Sequence, residues 1–206
     1  MIGPVIHLTS IFLLLAASVL GRVVITHKSD AQVVRNTSQI VLFILNLCIF
    51  VAYFIVLWVP GIEAIANATG LGPIPLTRML ELGLGIVLVG SGSYVYYITV
   101  SQLISQGNGF SSYKFTDQVV SDSIYRHVKN PMSVGYYLFA LGMPFLLDSS
   151  YFLIVSILGF IPAQMLYVLL YEEKELSVRF GSSYKNYASD VPRFIPRLSR
   201  EMTVRE

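Results

Sequence analysis

The stretch PMSVGYYLFALGMPFLLDSSYFLIVSILGFIPAQMLYVLLY, residues 131–171, is apolar along nearly its whole length and carries a single charged side chain. It divides at Ser149-Ser150 into two runs, 131–148 and 151–171. Each run is close to the roughly 20 residues that a helix needs to cross a bilayer. Because a two-residue gap leaves no room for a further domain, the stretch predicts a tight helical hairpin within a membrane.

Three further apolar runs precede this hairpin, at residues 4–25, 40–60 and 79–104. The chain of 206 residues is 54% hydrophobic and 13% charged, and its mean hydropathy is +0.66. This composition is too apolar for a soluble domain of this size. The sequence therefore predicts an all-α polytopic membrane protein with about five transmembrane helices, forming one integral-membrane domain over residues 1–206, with three N-terminal spans in 1–104.

Basic residues are distributed unevenly over the segments that connect these runs. With the N-terminus outside, the external segments hold only Arg78. The internal segments hold all the basic residues of the tail, 172–206, and also Lys28, Arg35, Lys114, Arg126 and Lys129. Since cytoplasmic loops of membrane proteins carry an excess of Lys and Arg, the pattern predicts an external N-terminus, a cytosolic C-terminus and a polar inner face.

Isolated residues within the apolar runs are interpreted as structural. The single cysteine, Cys48, is expected to be a buried thiol, and His7 a packed or interfacial side chain. The glycines of GLGIVLVGSGS, residues 83–93, favour close helix packing over ligand binding. The chain has no zinc-ligand spacing, P-loop, Rossmann fingerprint or Ser-His-Asp order, so metal and nucleoside triphosphate chemistry are disfavoured.

The polar motif EEKELSVRFGSSYKNYASDVPRFIP, residues 172–196, follows the last apolar run. A helix continued from that run aligns Val168, Glu172, Glu175 and Arg179, and Glu175 and Arg179 form a favourable i,i+4 pair. The helix is predicted to stop at Gly181, and the proline-rich ending is predicted to be extended. The motif fits either a solvated helix end with a surface tail or one wall of a binding site.

A second polar motif, IYRHVKNPMSVGYY, occupies residues 124–137. Proline is favoured in the first turn of a helix, so Pro131 predicts a helix start. The free N–H groups and positive dipole end there suit an anionic or hydrogen-bond-accepting group, and Gly135 leaves room for close approach. A basic flank of a membrane helix explains the charged residues equally well.

Together the two motifs resemble the isoprenylcysteine carboxyl methyltransferase and phospholipid methyltransferase superfamily of integral-membrane enzymes. Its members carry Tyr-x-x-x-Arg-His-Pro-x-Tyr-x-Gly and, one span later, Glu-Glu-x-x-Leu-x-x-x-Phe-Gly-x-x-Tyr-x-x-Tyr, ending in Val-Pro-x-x-x-Pro. The first element corresponds here to Tyr125, Lys129, Asn130, Pro131, Ser133 and Gly135. The second corresponds to Glu172, Glu173, Leu176, Phe180, Gly181, Tyr184, Tyr187, Val191, Pro192 and Pro196. The resemblance covers about residues 105–198.

The resemblance implies methyl transfer from S-adenosylmethionine to a lipophilic acceptor, without a metal, in a cytosolic pocket of the catalytic half, 105–206. Carboxylates suit the ribose hydroxyls or the methionyl ammonium of this cofactor, and aromatic faces suit its sulfonium. No catalytic residue is singled out, because in-line methyl transfer depends on positioning and desolvation more than on acid–base help. The expected cofactor-binding residues are Asp117, Gln118, Val119, Val120, Tyr125, Asn130, Pro131, Met132, Ser133, Glu172 and Glu173.

Four positions depart from the superfamily pattern. Lys129-Asn130 replaces Arg-His, and Ser133 replaces the usual tyrosine. Val168 stands where the prenylcysteine enzymes have an arginine that contacts the substrate carboxylate. The expected substrate-binding positions are Val168, Arg126, Lys129 and Arg193.

The VPRFIP ending favours an activity like that of isoprenylcysteine carboxyl O-methyltransferases. N-methylation of a phospholipid or another small lipid is the alternative within the superfamily. Alternatives of other classes are a sterol-reductase-like enzyme with a nicotinamide cofactor and a non-enzymatic membrane protein that keeps the fold. The expected partner is a membrane lipid or prenylated acceptor, and no nucleic acid is expected.

Overall fold

The computed structural model of the protein describes residues 2–28, 30–50, 70–109 and 115–197. Within these ranges the chain forms helices and no strand. The helices are α1 (Ile2–His27), α2 (Ala31–Phe50), α3 (Arg78–Gly107), α4 (Ile124–His127), α5 (Pro131–Leu146), α6 (Ser150–Phe180) and α7 (Ser182–Asp190).

The long helices correspond to the predicted spans. Four of them, α1, α2, α3 and α6, are long and apolar enough to cross a membrane, and α5 is a shorter apolar helix of 16 residues. The predicted all-α membrane architecture is therefore confirmed. Residues 51–60 of the second predicted span and Lys114 lie outside the described residues.

Helix α2 begins nine residues before the predicted start of its apolar run at residue 40, at Ala31. The carboxylate of Asp30 accepts hydrogen bonds from the backbone N–H groups of Gln32 (2.9 Å) and Val33 (3.2 Å). An aspartate that caps the first turn in this way stabilises a polar helix start. The extension places Ser38 on α2, at the end of the bundle where the polar motifs lie.

Glycines set the distance between α3 and α5. A Cβ atom on Gly92 would lie 2.6 Å from the carbonyl oxygen of Gly135 and 2.7 Å from the backbone nitrogen of Phe139. A Cβ atom on Gly135 would lie 2.8 Å from the carbonyl oxygen of Gly92. The predicted packing role is confirmed for Gly85 and Gly92, whereas Gly83 and Gly90 face open space. The room at Gly135 serves this helix contact and not an approach to a ligand.

Helix α6 contains two π-helical turns, Ser156–Phe160 and Val168–Glu172. The first precedes Pro162, which has no N–H group to donate to the preceding turn. At the second turn, Arg22 of α1 donates from Nη1 to the carbonyl oxygen of Leu170 (2.8 Å). A π turn replaces the regular hydrogen-bond ladder and changes the direction of the side chains that follow it.

The polar motifs gather at one end of the helix bundle. There the end of α3 at Gly107 meets Thr116, and the residues before α5 meet the segment after α7. At the opposite end, Arg78 pairs with the buried Glu81 at 3.0 Å and donates to carbonyl oxygens at the end of α5. His7 is buried and hydrogen-bonds through Nδ1 to the Tyr151 hydroxyl (2.8 Å), and Cys48 is buried, so both are packed as predicted.

Candidate functional site

A cavity lies at the polar end of the bundle and encloses ≈ 990 Å³ of space between atoms, open solvent at its rim included. Its walls come from the two polar motifs, the segment after α3, and the ends of α2 and α3. The polar residues on these walls are Ser38, Thr116, Gln118, Tyr125, Lys129, Asn130, Ser133, Tyr167, Tyr171, Glu172, Glu175, Arg179, Tyr184 and Tyr187. Large apolar pockets with a few converging polar groups are the usual form of small-molecule sites.

The carboxylates of Glu172 and Glu175 line the cavity but have different surroundings. The buried Glu175 accepts from Arg179 Nη1 (2.9 Å) and from Ser38 Oγ (3.2 Å). Glu172 is half-buried and, within the described ranges, forms no hydrogen bond or ion pair. A carboxylate with free lone pairs in a cavity is available to a cationic or hydroxyl-bearing ligand.

Glu173 points away from the cavity and forms an ion-pair cluster. Its Oε1 lies 2.6 Å from Lys129 Nζ and 2.8 Å from Arg193 Nε. The backbone N–H groups of Lys129 and Asn130 donate to the carbonyl oxygens of Pro192 (2.7 Å) and Arg193 (3.1 Å). The proline-rich ending is therefore non-helical, as predicted, and it is held against the residues that begin α5.

Arg179 attaches the segment after α3 to the cavity wall. Its guanidinium lies between the rings of Phe115 and Phe180, 4.8 Å and 4.7 Å from their centroids. It also donates to the carbonyl oxygen of Thr116 (2.5 Å) while it holds Glu175. The predicted i,i+4 pair is confirmed, and its arginine closes one side of the cavity by stacking and hydrogen bonding.

Three of the tyrosines that line the cavity, Tyr125, Tyr184 and Tyr187, lie on α4 and α7. Tyr187 donates to the carbonyl oxygen of Tyr125 (2.9 Å), which joins α7 to α4. The Tyr184 side chain is buried, and in the described part of the chain its hydroxyl has no hydrogen-bond partner. Burial raises the pKa values of Tyr125, Tyr184 and Tyr187 above the ordinary range for a phenol, so all three remain neutral hydrogen-bonding groups.

The start of α5 forms the facing wall, with Pro131 in the first turn as predicted. Asn130 donates through Nδ2 to the carbonyl oxygen of Arg193 (3.2 Å), and the first N–H groups of the helix have no partner within it. Below them, Ser133 Oγ accepts from Gln164 Nε2 (3.0 Å), and Gln164 Oε1 accepts from the Tyr137 hydroxyl (2.5 Å). This buried network fixes the floor of the cavity between α5 and α6.

Most of the residues predicted to bind the cofactor lie on the cavity. Asp117 is exposed and Glu173 is in the ion-pair cluster, and neither lines it. The remaining predicted cofactor-binding residues line the cavity: Gln118, Val119, Val120, Tyr125, Asn130, Pro131, Met132, Ser133 and Glu172.

The four predicted substrate positions are not brought together. Lys129 lines the cavity, but its ammonium is paired with Glu173. Arg126 pairs with Asp122 (3.1 Å) in a separate shallow depression, and Arg193 is bound to Glu173. Val168 is fully buried in the core between α1, α2 and α6.

Sequence reasoning did not identify several residues of the cavity. Ser38 and Leu42 reach it from α2, and Leu103 reaches it from α3. Nothing in the sequence near Ser38 indicates a site, because only the packing of α2 on α6 brings it there. Tyr184 and Tyr187 carried a detectable signal, because both belong to the second family element that the sequence matches.

The described residues contain no three His, Cys, Asp or Glu side chains close enough together to hold a metal ion. The bundle is that of an integral membrane protein, and the cavity at one end of its helices is a candidate ligand site. The family model of phospholipid methyltransferases matches residues 80–183, half of the chain.

The chain therefore belongs to the phospholipid methyltransferase family, which confirms the membership of the membrane methyltransferase superfamily predicted from the motifs. The matched region runs from α3 into α7 and includes both glutamates, 172 and 173. Helices α1 and α2 lie outside it. No curated protein and no solved structure matches the chain.

Proposed function

We propose that the protein transfers a methyl group from S-adenosylmethionine to a lipophilic acceptor at the polar end of its membrane helices. The observation that carries this proposal is Glu172, a carboxylate that has no hydrogen-bond or ion-pair partner among the described residues and lies on a cavity formed by both family motifs. Catalysis of this kind needs a site that holds the donor and acceptor in line and excludes water. The cavity between α5 and α6 is closed on most sides and open at its rim, which fits that need.

The residues present fit the methyl donor. In the part of the chain that the structure describes, the carboxylate of Glu172 and the buried hydroxyl of Tyr184 have no hydrogen-bond partner, so both can bind the ribose hydroxyls or the amino group. The N–H groups of Met132 and Ser133 at the start of α5, which have no partner within the helix, suit a carboxylate. Aromatic rings of Tyr125 and Tyr187 line the same space and suit a cationic sulfur.

When bound, the donor supplies an electrophilic methyl group, and S-adenosylhomocysteine is the product that leaves. Ser133 and the network beneath it keep the floor of the cavity rigid, since all three side chains of that network are hydrogen-bonded. Arg179 keeps the segment after α3 closed over one side, which limits the access of water. These residues position and desolvate the reaction. A carboxylate acceptor attacks the methyl group without losing a proton, whereas a lipid amine attacks only after its ammonium form has released a proton to water.

The acceptor is proposed to be a membrane lipid. The VPRFIP ending favours an isoprenylcysteine carboxylate, which calls for a counter-charge. Val168 supplies none, while Lys129 and Arg193 both neutralise Glu173. The pairing of both cations with Glu173 favours the second candidate acceptor, a lipid amine. A lipid amine also agrees with the name of the family, which specifies phospholipids.

The orientation predicted from the basic residues belongs to the same proposal. It places the cavity and the C-terminus in the cytosol, where S-adenosylmethionine is made. Single cysteines introduced at the exposed positions Ser189 and Gly72, in a Cys48→Ala background, test this orientation. An impermeant thiol reagent applied to the outside of intact cells should label the second position and not the first.

Transfer of a labelled methyl group tests the proposal. Membranes that contain the protein are incubated with S-adenosylmethionine labelled in its methyl group, and lipid is separated from protein. Volatile label released by base indicates a carboxyl methyl ester, whereas stable label in lipid indicates N-methylation. The absence of protein-dependent label from every fraction, under conditions where the protein binds the donor, would contradict methyl transfer.

A further inference from the structure

We propose that the hydroxyl of Tyr184 hydrogen-bonds the ligand in the cavity and is a binding residue of this site. The second family element contains Tyr184, but neither that resemblance nor the pattern of charges assigned it a role. The identity of the ligand, the methyl donor, rests on the proposed function. The position of Tyr184 itself points to a ligand contact.

The turn at Gly181 places Tyr184 on the cavity. Gly181 has a φ of 56° and a ψ of −126°, a backbone conformation that suits glycine and reverses the chain between α6 and α7. Helix α7 then folds back beside the end of α6. As a result, Tyr184 and Tyr187 both line the cavity next to Glu172.

The two tyrosines of α7 differ in how their hydroxyls are used. Their ring centroids lie 6.3 Å apart, and both side chains line the cavity. Tyr187 donates to the carbonyl oxygen of Tyr125 and so holds α7 in place. Tyr184 is only 5% exposed, and among the described residues its hydroxyl has no partner.

A buried hydroxyl without a hydrogen bond is unfavourable, and nearly all buried polar groups in folded proteins are paired. In the described ranges, the only other such side-chain atom is Oε1 of Gln102, which does not line the cavity. Burial raises the pKa of Tyr184, so the phenol keeps its proton and remains a donor. A ligand oxygen beside Glu172 would accept the hydrogen bond that the Tyr184 hydroxyl lacks.

The Tyr184→Phe variant tests the proposal because it removes the hydroxyl and keeps the ring. Isothermal titration in nanodiscs measures the affinity of each variant for S-adenosylhomocysteine, and thermal unfolding measures the ligand-free stability. Tyr97→Phe is the matched control, since Tyr97 is 69% exposed on α3 and away from the cavity. Tyr187→Phe is the comparison for a tyrosine whose hydroxyl has a protein partner.

We expect Tyr184→Phe to weaken S-adenosylhomocysteine binding about threefold to tenfold, the effect of one neutral hydrogen bond. Its ligand-free melting temperature should equal or exceed that of the wild type, whereas Tyr187→Phe should lower it. Tyr97→Phe should change neither quantity.

Unchanged affinity in Tyr184→Phe, with normal binding to the wild type, would overturn this inference and leave the proposed function standing. A ligand-free melting temperature lowered as much as in Tyr187→Phe would also overturn it, because the hydroxyl would then have a protein partner. If the wild type itself does not bind S-adenosylhomocysteine, the proposed function fails and this inference fails with it.

Discussion

The ammonium of Lys129 lies 2.6 Å from Oε1 of Glu173, and this ion pair joins the residues before α5 to α6. The Lys129 side chain is 5% exposed and the Glu173 side chain 18%. Arg193 reaches the same carboxylate from the proline-rich ending, but its own side chain is 55% exposed. Lys129 and Arg193 are therefore expected to contribute unequally to the stability of the ion-pair cluster around Glu173.

The first prediction concerns the difference in burial between the Lys129 and Arg193 side chains. Lys129→Met should lower the free energy of unfolding by about 1.5–3 kcal/mol, the range for a buried hydrogen bond to a charged group. Arg193→Met should lower it by only about 0.2–1 kcal/mol, because exposed ion pairs are screened by water. Unfolding by a denaturing detergent measures both, and equal losses would contradict the assignment of Lys129 as the buried partner.

The second prediction concerns the contact between α2 and α6. Ser38 shares a 2.8 Å hydrogen bond with the Tyr171 hydroxyl. Ser38→Ala should lower the free energy of unfolding by about 1–3 kcal/mol, because it leaves a buried hydroxyl unpaired. Adding Tyr171→Phe should recover part of this loss, since both partners are then apolar. Strictly additive losses in the double variant would show that the two side chains do not interact.

The third prediction concerns the glycine contact between α3 and α5. Gly92→Ala should destabilise the protein by about 1–3 kcal/mol, because the new methyl group meets backbone atoms of α5 and forces the helices apart. Gly90→Ala is the matched control on the same helix, since nothing lies within 4 Å of its Cβ position. That variant should be neutral or more stable by up to about 1 kcal/mol. Thermal unfolding distinguishes the two, and similar effects of both substitutions would contradict the packing described here.

The fourth prediction concerns Arg179. Arg179→Lys keeps the charge beside Glu175 but loses the planar group between Phe115 and Phe180. We expect a local loss of about 1–2 kcal/mol, and hence roughly 5- to 30-fold faster amide hydrogen exchange in residues 115–120. Arg126→Lys, which alters an exposed pair with Asp122, is the control and should leave exchange there unchanged. Unaltered exchange in Arg179→Lys would show that stacking does not hold this segment.

Much of the fold follows from simple features of the sequence. Apolar runs of membrane-spanning length predict the long helices, Gly181 predicts the end of α6, and the spacing of Glu175 and Arg179 predicts their ion pair. The order of the motifs around a hairpin also predicts that they meet at one end of the bundle. These features are local in sequence or depend on helix length alone.

The direction in which the Glu172 side chain points could not be predicted from such local features. A regular helix places Val168 and Glu172 on one stripe, yet Val168 is buried in the core while Glu172 faces the cavity. The π turn at Val168–Glu172 changes the register between them. The contribution of Ser38 was also unpredictable, since it depends on how α2 packs against α6. Tertiary packing decides both features.

The affinity of Glu172→Gln for S-adenosylhomocysteine, measured beside the wild type by isothermal titration in nanodiscs, tests the central claim most directly. Asp122→Asn, the same chemical change at the same end of the bundle but outside the cavity, is the control. We predict that the wild type and the control bind, and that Glu172→Gln binds about 10- to 100-fold more weakly, the loss of a charge-assisted hydrogen bond. Wild-type binding that Glu172→Gln leaves unchanged, or no binding to the folded wild type, would contradict the account.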